Sequence, residues 1–420
     1  DPPCPDGQWK VTGAKTDGVT AGCKIRDEEG EVFLLKMDPA GYPGTTVRAS
    51  IISGRILHAA GYNVPDEYPL TFGPENLGFE TEAKFRAQDG EEIPLSKDSL
   101  LEILGPPHTS DGRWIALASH FIKGTPLGPF DYQGRRGDDP NDRIDHEDRR
   151  ELRGLRVFSA WLNHIDSKRD NTLDFYIGPP GPGYVEHYLI DFASTLGSGG
   201  TGPFRKWGWE YGMDIPASTG RLLSLGLHES HWNSMERPWG LDEIGYMDNR
   251  GFNPSKWKPI RPNSAFANLT DRDGYWAAKI ITAFSDRHLE AIVAEAKYRD
   301  PAAAEFMVRA LAERRDVIGR YYFDRVPPLD FFSTRDEALH FVDLGVERGL
   351  YDPETTRYRT RWKLDSGGGW SDWTETDETT HSWEKGTRAR FQWQVSRGED
   401  WSSATEVVVA ATGQIVSLTR

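Results

Sequence analysis

The stretch "HIDSKRDN", His164 to Asn171, concentrates chemically useful side chains in eight residues. Carboxylates exchange protons and bind hard cations, and a lysine can neutralise an anion, so such a stretch could form the centre of an active site. The same residue types also build Asx turns and helix caps. Taken alone, the stretch is more typical of a capped helix end. The surrounding sequence must supply the partners that an active site needs.

Two further charged residues stand at the ends of apolar segments. Asp191 follows an apolar strand in "HYLIDFAS", where a charge costs free energy unless another group pairs with it. Lys36 ends the segment "EVFLLK". A strand lysine considered alone is more often solvated than functional, because lysine is seldom fully buried.

The first 120 or so residues are predicted to be mostly β-structure with one helix. Residues 9–38 alternate apolar and polar residues between glycine-containing turns, which predicts a meander of three strands. Apolar residues at helical spacing follow from residue 45, and the helix is expected to stop at Gly61 and Pro65. Further strands are expected at "EYPLTF", "KFRAQDG" and "WIALASHFIKG".

The pattern changes after a Gly/Pro/Asp-rich link. "HEDRRELRGLRVFSAWLNHI" predicts an amphipathic helix, and "TLDFYI" and "VEHYLIDF" predict a hairpin. Residues 198–272 allow no assignment, whereas about 273–325 is typical of three helices. "DRVPPLDFF" is interpreted as a linker, and short strands beyond about residue 350 predict a small β-sandwich.

The order of these parts resembles the protein-kinase-like superfamily over residues 9–325. A strand lysine, a loop of the form H-x-D-x-K-x-x-N and an acid in "LIDF" follow one another as in that superfamily. The pattern is similar to its atypical branches, such as the HipA, CotH and secretory-pathway kinases. The resemblance implies an α+β, bilobal fold with a β-rich N-lobe (1–123), a mostly helical C-lobe (124–330) and a β-sandwich-like domain (350–420).

The resemblance also implies a role for each polar residue in transfer of a phosphoryl group from ATP. Lys36 would contact the ATP phosphates, and Asp191 and Asn171 would bind Mg²⁺ or Mn²⁺. Asp166 would accept the proton of the incoming hydroxyl, and Lys168 would neutralise charge on the transferring group. The acceptor, a protein or a small molecule, is unknown.

Glycines between the first two strands would cover the nucleotide. The segment "TGAKTDGVTAG" contains Gly13, Gly18 and Gly22, but it does not match G-x-G-x-x-G. An ordinary glycine-bearing hairpin accounts for the same segment equally well.

Other features depart from the superfamily pattern. No acid lies between Asp38 and Asp66, so the first helix lacks the carboxylate that usually pairs with the strand lysine. Glu67, Glu80 or Glu82 could substitute for it. The acid of "LIDF" is followed by Phe-Ala rather than Phe-Gly, and no A-P-E-like segment follows. A pseudokinase that binds nucleotide or acts as a scaffold is therefore the alternative, and transfer of the nucleotide itself is a third hypothesis.

Composition narrows the partners and the location. The net charge of −15 argues against a general nucleic-acid binder. The sequence contains no run of about eighteen apolar residues, so no membrane span is predicted. Two cysteines, abundant tryptophan and a start at Asp1 favour an exported chain, periplasmic or extracellular. In that case Cys4 and Cys23 are expected to pair; in a cytosolic chain they would be inert thiols.

Overall fold

The protein is a mixed α/β structure that falls into two compact units. The computed structural model describes residues 1–4, 7–15, 20–86, 91–224, 230–383 and 386–420. The first unit comprises Asp1–Leu152, Phe158–Asn268 and Asp286–Glu313. The second unit comprises Arg153–Val157, Leu269–Ser285 and Arg314–Arg420.

A seven-stranded sheet dominates the N-terminal part of the first unit. Its strands are β1 (Trp9–Lys15), β2 (Gly22–Arg26), β3 (Val32–Met37), β4 (Glu67–Phe72), β5 (Leu77–Arg86), β6 (Glu92–Pro94) and β7 (Trp114–His120). Their order is β4-β7-β3-β2-β1-β5-β6. The predicted three-strand meander is confirmed. The β1–β5 pair is parallel, and the other neighbours run antiparallel.

Helix α1 (Thr45–Ala59) begins directly after the strand that carries Lys36. The Asp38 carboxylate accepts hydrogen bonds from the backbone N–H groups of Gly44 (2.6 Å), Thr46 (3.0 Å) and Val47 (3.1 Å). A helix start leaves such N–H groups without intrahelical partners, so Asp38 stabilises the start of α1. One residue at the end of β3 thereby couples the lysine strand to the helix.

Eight further helices and a small three-stranded sheet are described along the rest of the chain. The helices are α2 (Lys97–Leu104), α3 (Arg150–Leu162), α4 (Ile215–Leu223), α5 (Ser264–Ala267), α6 (Asp271–Ile281), α7 (Asp286–Glu295), α8 (Pro301–Phe323) and α9 (Leu344–Glu347). Strands β8 (Thr125–Gly128), β9 (Thr172–Ile177) and β10 (Tyr184–Leu189) form a sheet in the order β10-β9-β8. The predicted long helix, hairpin and three later helices are all present.

The second unit contains a β-sandwich. Its strands are β11 (Leu329–Arg335), β12 (Ala338–Asp343), β13 (Arg357–Leu364), β14 (Thr374–Thr376), β15 (Thr380–Ser382), β16 (Ala389–Ser396), β17 (Thr405–Val409) and β18 (Ile415–Thr419). They form two sheets, β11-β12-β15 and β14-β13-β16-β17-β18. The Phe341 ring packs against Tyr358 and Trp393 between them. Strand β11 begins at Leu329, inside the segment "DRVPPLDFF" that was predicted to be a linker. Leu329 is fully buried in this core, so the segment is part of the packed structure.

Two sequence expectations concern membranes and thiols. Over the residues that the structure describes, no helix is long and apolar enough to cross a membrane. Cys4 is exposed, Cys23 is buried, and both are free thiols. Burial raises the pKa of the Cys23 thiol to about 12, which leaves it protonated and unreactive near neutral pH.

Candidate active site

The β9–β10 hairpin brings Asn171 and Asp191 to one place. Asn171 immediately precedes β9, and the Ile190 N–H donates to the Asn171 carbonyl oxygen at 3.0 Å. The hairpin register pairs Thr172 with Leu189, so residues 171 and 191 stand at the same end of the ladder. Two oxygen-bearing side chains that are twenty residues apart in sequence are thus held as neighbours by strand pairing.

The loop between α3 and β9 orients the Asp166 carboxylate. Lys168 Nζ lies 2.9 Å from Asp166 Oδ2. The Asn171 side-chain N–H₂ donates to Asp166 Oδ2 at 3.1 Å and to the Asp166 carbonyl at 2.8 Å. Because the amide nitrogen faces Asp166, the Asn171 side-chain oxygen is directed to the other side. The predicted residues Asp166, Lys168 and Asn171 therefore form one connected cluster.

Asp191 adopts a left-handed backbone conformation that is uncommon for residues other than glycine. Its φ is 63°, in the left-handed region that disfavours residues with a Cβ atom. Strain of this kind persists where the surrounding structure enforces it, and it concentrates at functional sites. Lys36 Nζ lies 3.9 Å from Asp191 Oδ1. Lys36 is mostly buried, whereas Asp191 keeps part of its side chain accessible.

Glu67 supplies a carboxylate beside Lys36 from strand β4. The residue is 3% exposed, and an interaction with the Ser119 side chain favours its ionised form. Burial raises the pKa of Glu67, and the charge of Lys36 opposes that shift. Helix α1 passes close by without an acid of its own. A Cβ built on its Gly54 would lie 3.8 Å from Glu67 Oε2.

Glu67 is one of the three substitutes that the sequence allowed for the missing helix acid. The side chains of the other two, Glu80 and Glu82, lie outside what the structure describes. Strand order explains the position of Glu67: β7 separates β4 from β3, so Glu67 and Lys36 stand two strands apart in one sheet. The sheet, rather than the helix, carries this acid.

His164 packs beneath the two loops and was not singled out from the sequence. Its ring is buried and meets Phe192, the residue after Asp191, edge to face at 5.6 Å between centroids. Burial lowers the pKa of His164 to about 4, although the nearby Asp166 and Asp191 charges oppose the shift. The imidazole is therefore neutral at physiological pH and acts as packing. Its signal in the sequence was only its place at the head of the loop.

A cavity of about 350 Å³ opens beside Lys36. Apolar side chains form most of its wall, and the backbone connecting β7 to β8 forms one edge. Representative lining residues are Leu34, Lys36, Phe121, Gly124, Leu173 and Ile190. An apolar cleft with a few polar groups at one end is the usual form of a small-molecule site. Lys36, which lies 3.9 Å from Asp191, and Ile190, which directly precedes Asp191, both line this cavity.

The predicted nucleotide-loop glycines are placed differently from one another. Gly13 lies within β1 at a bulge, and a Cβ there would approach the Lys84 carbonyl to 3.1 Å. Gly18 lies outside the described residues. Gly22 pairs with Lys36 across β2 and β3, and a Cβ there would lie 2.1 Å from the Leu35 carbonyl oxygen. Of the two described glycines, Gly22 is the one beside the lysine.

The described residues hold no group of three or more His, Cys, Asp or Glu side chains arranged around a metal position. Asn171 and Asp191 together offer one amide and one carboxylate oxygen. Mg²⁺ is commonly bound in this way, through one or two protein oxygens together with substrate phosphates and water. The donor set of this site thus fits a metal that arrives with a nucleotide.

Comparison with known proteins gives distant structural likenesses. No family model and no curated protein matches the sequence. The proinflammatory kinase CtkA of Helicobacter pylori is 11% identical, with 76% of this chain and 96% of that chain covered at a TM-score of 0.38. The Golgi casein kinase is 10% identical, with 76% and 74% covered and a TM-score of 0.37.

The hydra Fam20 structure with sugar is 11% identical, with 75% of this chain and 86% of that chain covered at a TM-score of 0.35. TM-scores this low do not establish a shared fold. The inference of function therefore rests on the geometry of this chain's own residues.

Proposed function

We propose that the protein is an atypical ATP- and Mg²⁺-dependent phosphotransferase with a kinase-like bilobal fold. In this proposal, residues 1–123 form the N-lobe, 124–330 the C-lobe, and the C-terminal β-sandwich a separate domain. The acceptor is a hydroxyl group on a protein or a small molecule. The supporting observation is that Lys36 lines the cavity and lies 3.9 Å from Asp191. The hairpin places Asp191 at the same end of the ladder as Asn171, which hydrogen-bonds to Asp166.

Each of these side chains has a task that its contacts suit. Lys36, which lies 3.9 Å from Asp191 and whose charge lowers the pKa of Glu67, would present its ammonium group to the ATP phosphates. Asn171 and Asp191 would hold Mg²⁺ or Mn²⁺, which neutralises phosphate charge when bound. Asp166, oriented by Lys168 and Asn171, would accept the proton of the acceptor hydroxyl.

The apolar cavity would receive the adenine ring. Its edge is the chain from Phe121 to Gly124, whose backbone groups can hydrogen-bond to a heterocycle. Leu34 from the sheet and Leu173 from β9 stand among the apolar residues of its wall. Lys36 lines the same cavity, so the phosphates of such a ligand would lie near Lys36 and Asp191.

Turnover of ATP labelled in its γ-phosphate tests this function. We expect Asp166→Asn to lower kcat by about 10²–10⁴-fold while Mg-nucleotide still binds, because Asp166 acts on the proton rather than on the nucleotide. Asp191→Asn should lose both metal-dependent binding and turnover. Asp170→Asn, an exposed acid in the same loop, is the matched control and should behave as the parent.

Two results would contradict the proposal. One is unchanged turnover in both Asp166→Asn and Asp191→Asn. The other is a rise in melting temperature with Mg-ATP but no labelled product with any acceptor, which would identify a pseudokinase instead. Labelled α-phosphate on the acceptor would point to nucleotide transfer.

A further inference from the structure

The β-sandwich of the second unit has an open mouth where core-type residues meet solvent. Alternate residues of β13 face the second sheet. Along that face Tyr358 and Thr360 are 3% and 2% exposed, whereas Trp362 and Leu364 are 40% and 36% exposed. The covering strand β15 is only three residues long. The apolar row of β13 therefore continues beyond the sheet that should cover it.

A cavity of about 550 Å³ occupies this mouth. Its aromatic walls come from three segments: Trp362 on β13, Phe391 opposite it on β16, and Trp383 after β15. Glu337, His381 and Ser382 add polar groups at its border. The volume lies within the usual range of about 300–1,000 Å³ for small-molecule sites.

Backbone strain lies at the edge of this cavity. Asp336 and Glu337 are the two central residues of the β11–β12 turn, with φ of 51° and 56°. Two-residue turns with positive φ at both positions favour Asn, Asp and Gly, so Glu337 is the strained residue of this turn. The Glu337 carbonyl oxygen accepts a hydrogen bond from the backbone N–H of Trp383 at 2.8 Å. Glu337 is thus held in an unfavourable conformation beside the cavity wall.

The next row into the sandwich contains unsatisfied polar atoms. Thr360, Trp393 and Thr405 pair across three strands. The Thr360 and Thr405 hydroxyls and the Trp393 indole N–H are buried without a hydrogen-bond partner among the described residues. Native structures rarely leave such groups unpaired. These three residues lie behind the described lining of the cavity and do not contribute to its wall.

Charge narrows the ligand further. The described residues that line the cavity include no lysine or arginine, and Glu337 contributes a carboxylate. Burial lowers the pKa of His381, which keeps this ring neutral at physiological pH. Among the described lining residues, an anionic ligand would meet the Glu337 carboxylate and no cationic side chain. The walls instead suit a neutral ring with an apolar face and a hydroxylated edge.

We propose that the mouth of the β-sandwich binds a neutral carbohydrate. A pyranose ring would pack its C–H face on Trp362, and its hydroxyl groups would donate to Glu337 and exchange hydrogen bonds with Ser382 and His381. The site is independent of the phosphotransfer site, so either proposal can fail without the other.

Neutral oligosaccharides on an array, applied to the full chain, test the site. Any glycan that binds is then titrated by calorimetry and by tryptophan fluorescence. We expect Trp362→Ala to weaken binding at least tenfold, since it removes the stacking surface. Circular dichroism and the melting temperature of each variant show whether it is folded.

The strained turn offers a matched pair of variants. Glu337→Gly removes the protein carboxylate that accepts from the sugar, and it relaxes the left-handed backbone. It should therefore abolish binding while the melting temperature stays equal or rises. Asp336→Gly relaxes the same turn but leaves the carboxylate, so binding should be retained. The proposal is overturned if no glycan binds, if only an apolar probe such as indole binds, or if glycan binding survives in both Trp362→Ala and Glu337→Gly.

Discussion

At the scale of single residues, the candidate active site contains groups that cost stability. Asp191 has a left-handed backbone conformation, and Glu67 is a carboxylate that is almost fully buried. Each such feature costs on the order of 1–3 kcal/mol. Residues of this kind persist where function requires them, which fits a site that places charge around a phosphate.

The Glu67→Met variant separates stability from function. The pKa of Glu67 is raised above its ordinary value of 4.5, so the folded chain binds this proton more tightly than the unfolded chain. The free energy of unfolding of the parent protein therefore falls as pH rises from about 4.5 through the raised pKa of Glu67. We expect the variant to gain about 1–3 kcal/mol at pH 7. Its turnover should fall about 10–100-fold, because Lys36 loses a positioning partner.

Denaturant unfolding across pH, with turnover measured in parallel, checks this prediction. Glu75→Met removes an exposed acid near the same sheet and serves as the control. A Glu67→Met protein that is less stable than the parent and fully active would contradict it.

His164 predicts a loss of stability in acid. Its pKa of about 4 in the folded, metal-free protein lies below the ordinary 6.5. Its contribution is therefore complete above pH 6.5 and is lost as pH falls towards 4, by roughly 3 kcal/mol. We expect His164→Leu to lack this component in urea unfolding curves. The exposed His58→Leu should keep it, and identical pH profiles for His164→Leu and the parent would refute this role.

The candidate site residues were predicted from the residue spacing within each motif and from the order of the motifs along the chain. "HIDSKRDN" and "LIDF" identified Asp166, Asn171 and Asp191, because Asn171 directly precedes and Asp191 closely follows the two paired strands of one hairpin. The sequence could only name three candidate acids for Lys36, since the choice depends on how β4 pairs in the sheet. His164 opens the H-x-D-x-K-x-x-N pattern, but its role as buried packing was not predicted because packing beneath a loop leaves no periodic pattern.

At the scale of elements, a buried ion cluster holds helix α1. Glu243 lies 2.7 Å from Arg48 of α1 and 2.8 Å from Arg299, and its side chain is 5% exposed. Glu243→Ala would leave the buried Arg48 without its carboxylate. We expect a loss of about 3–5 kcal/mol in the free energy of unfolding. Chemical denaturation should show it, whereas the neighbouring exposed Asp242→Ala should cost little, and equal losses in both would argue against the cluster.

Regular elements with strong periodicity were predictable, and long-range pairings were not. The meander β1–β3, helix α1 and helix α8 follow from alternation or helical spacing that each segment contains by itself. The parallel β1–β5 pair and the start of the sandwich at Leu329 depend on partners far along the chain. Two prolines before Leu329 suggested a linker, yet a buried leucine and a pairing strand override that local signal.

At the scale of the whole molecule, charge and division into units constrain the partners. The net charge of −15 disfavours polyanionic partners, and the exclusion of nucleic acid remains a prediction. Export of the chain also remains a prediction. The proposed phosphotransfer residues lie in the first unit and the proposed carbohydrate cavity in the second. Composition alone could not reveal this division, because it follows from contacts between distant segments.

The central claim is that Asp191 and Asn171 bind a metal that carries a nucleotide to Lys36. Calorimetric titration with a non-hydrolysable ATP analogue tests it most directly, using the parent, Asp191→Asn and the control Asp170→Asn. We predict binding to the parent and to Asp170→Asn only when Mg²⁺ or Mn²⁺ is present, and none to Asp191→Asn. Absence of binding to the parent, or equal binding to the parent and Asp191→Asn, would contradict the claim.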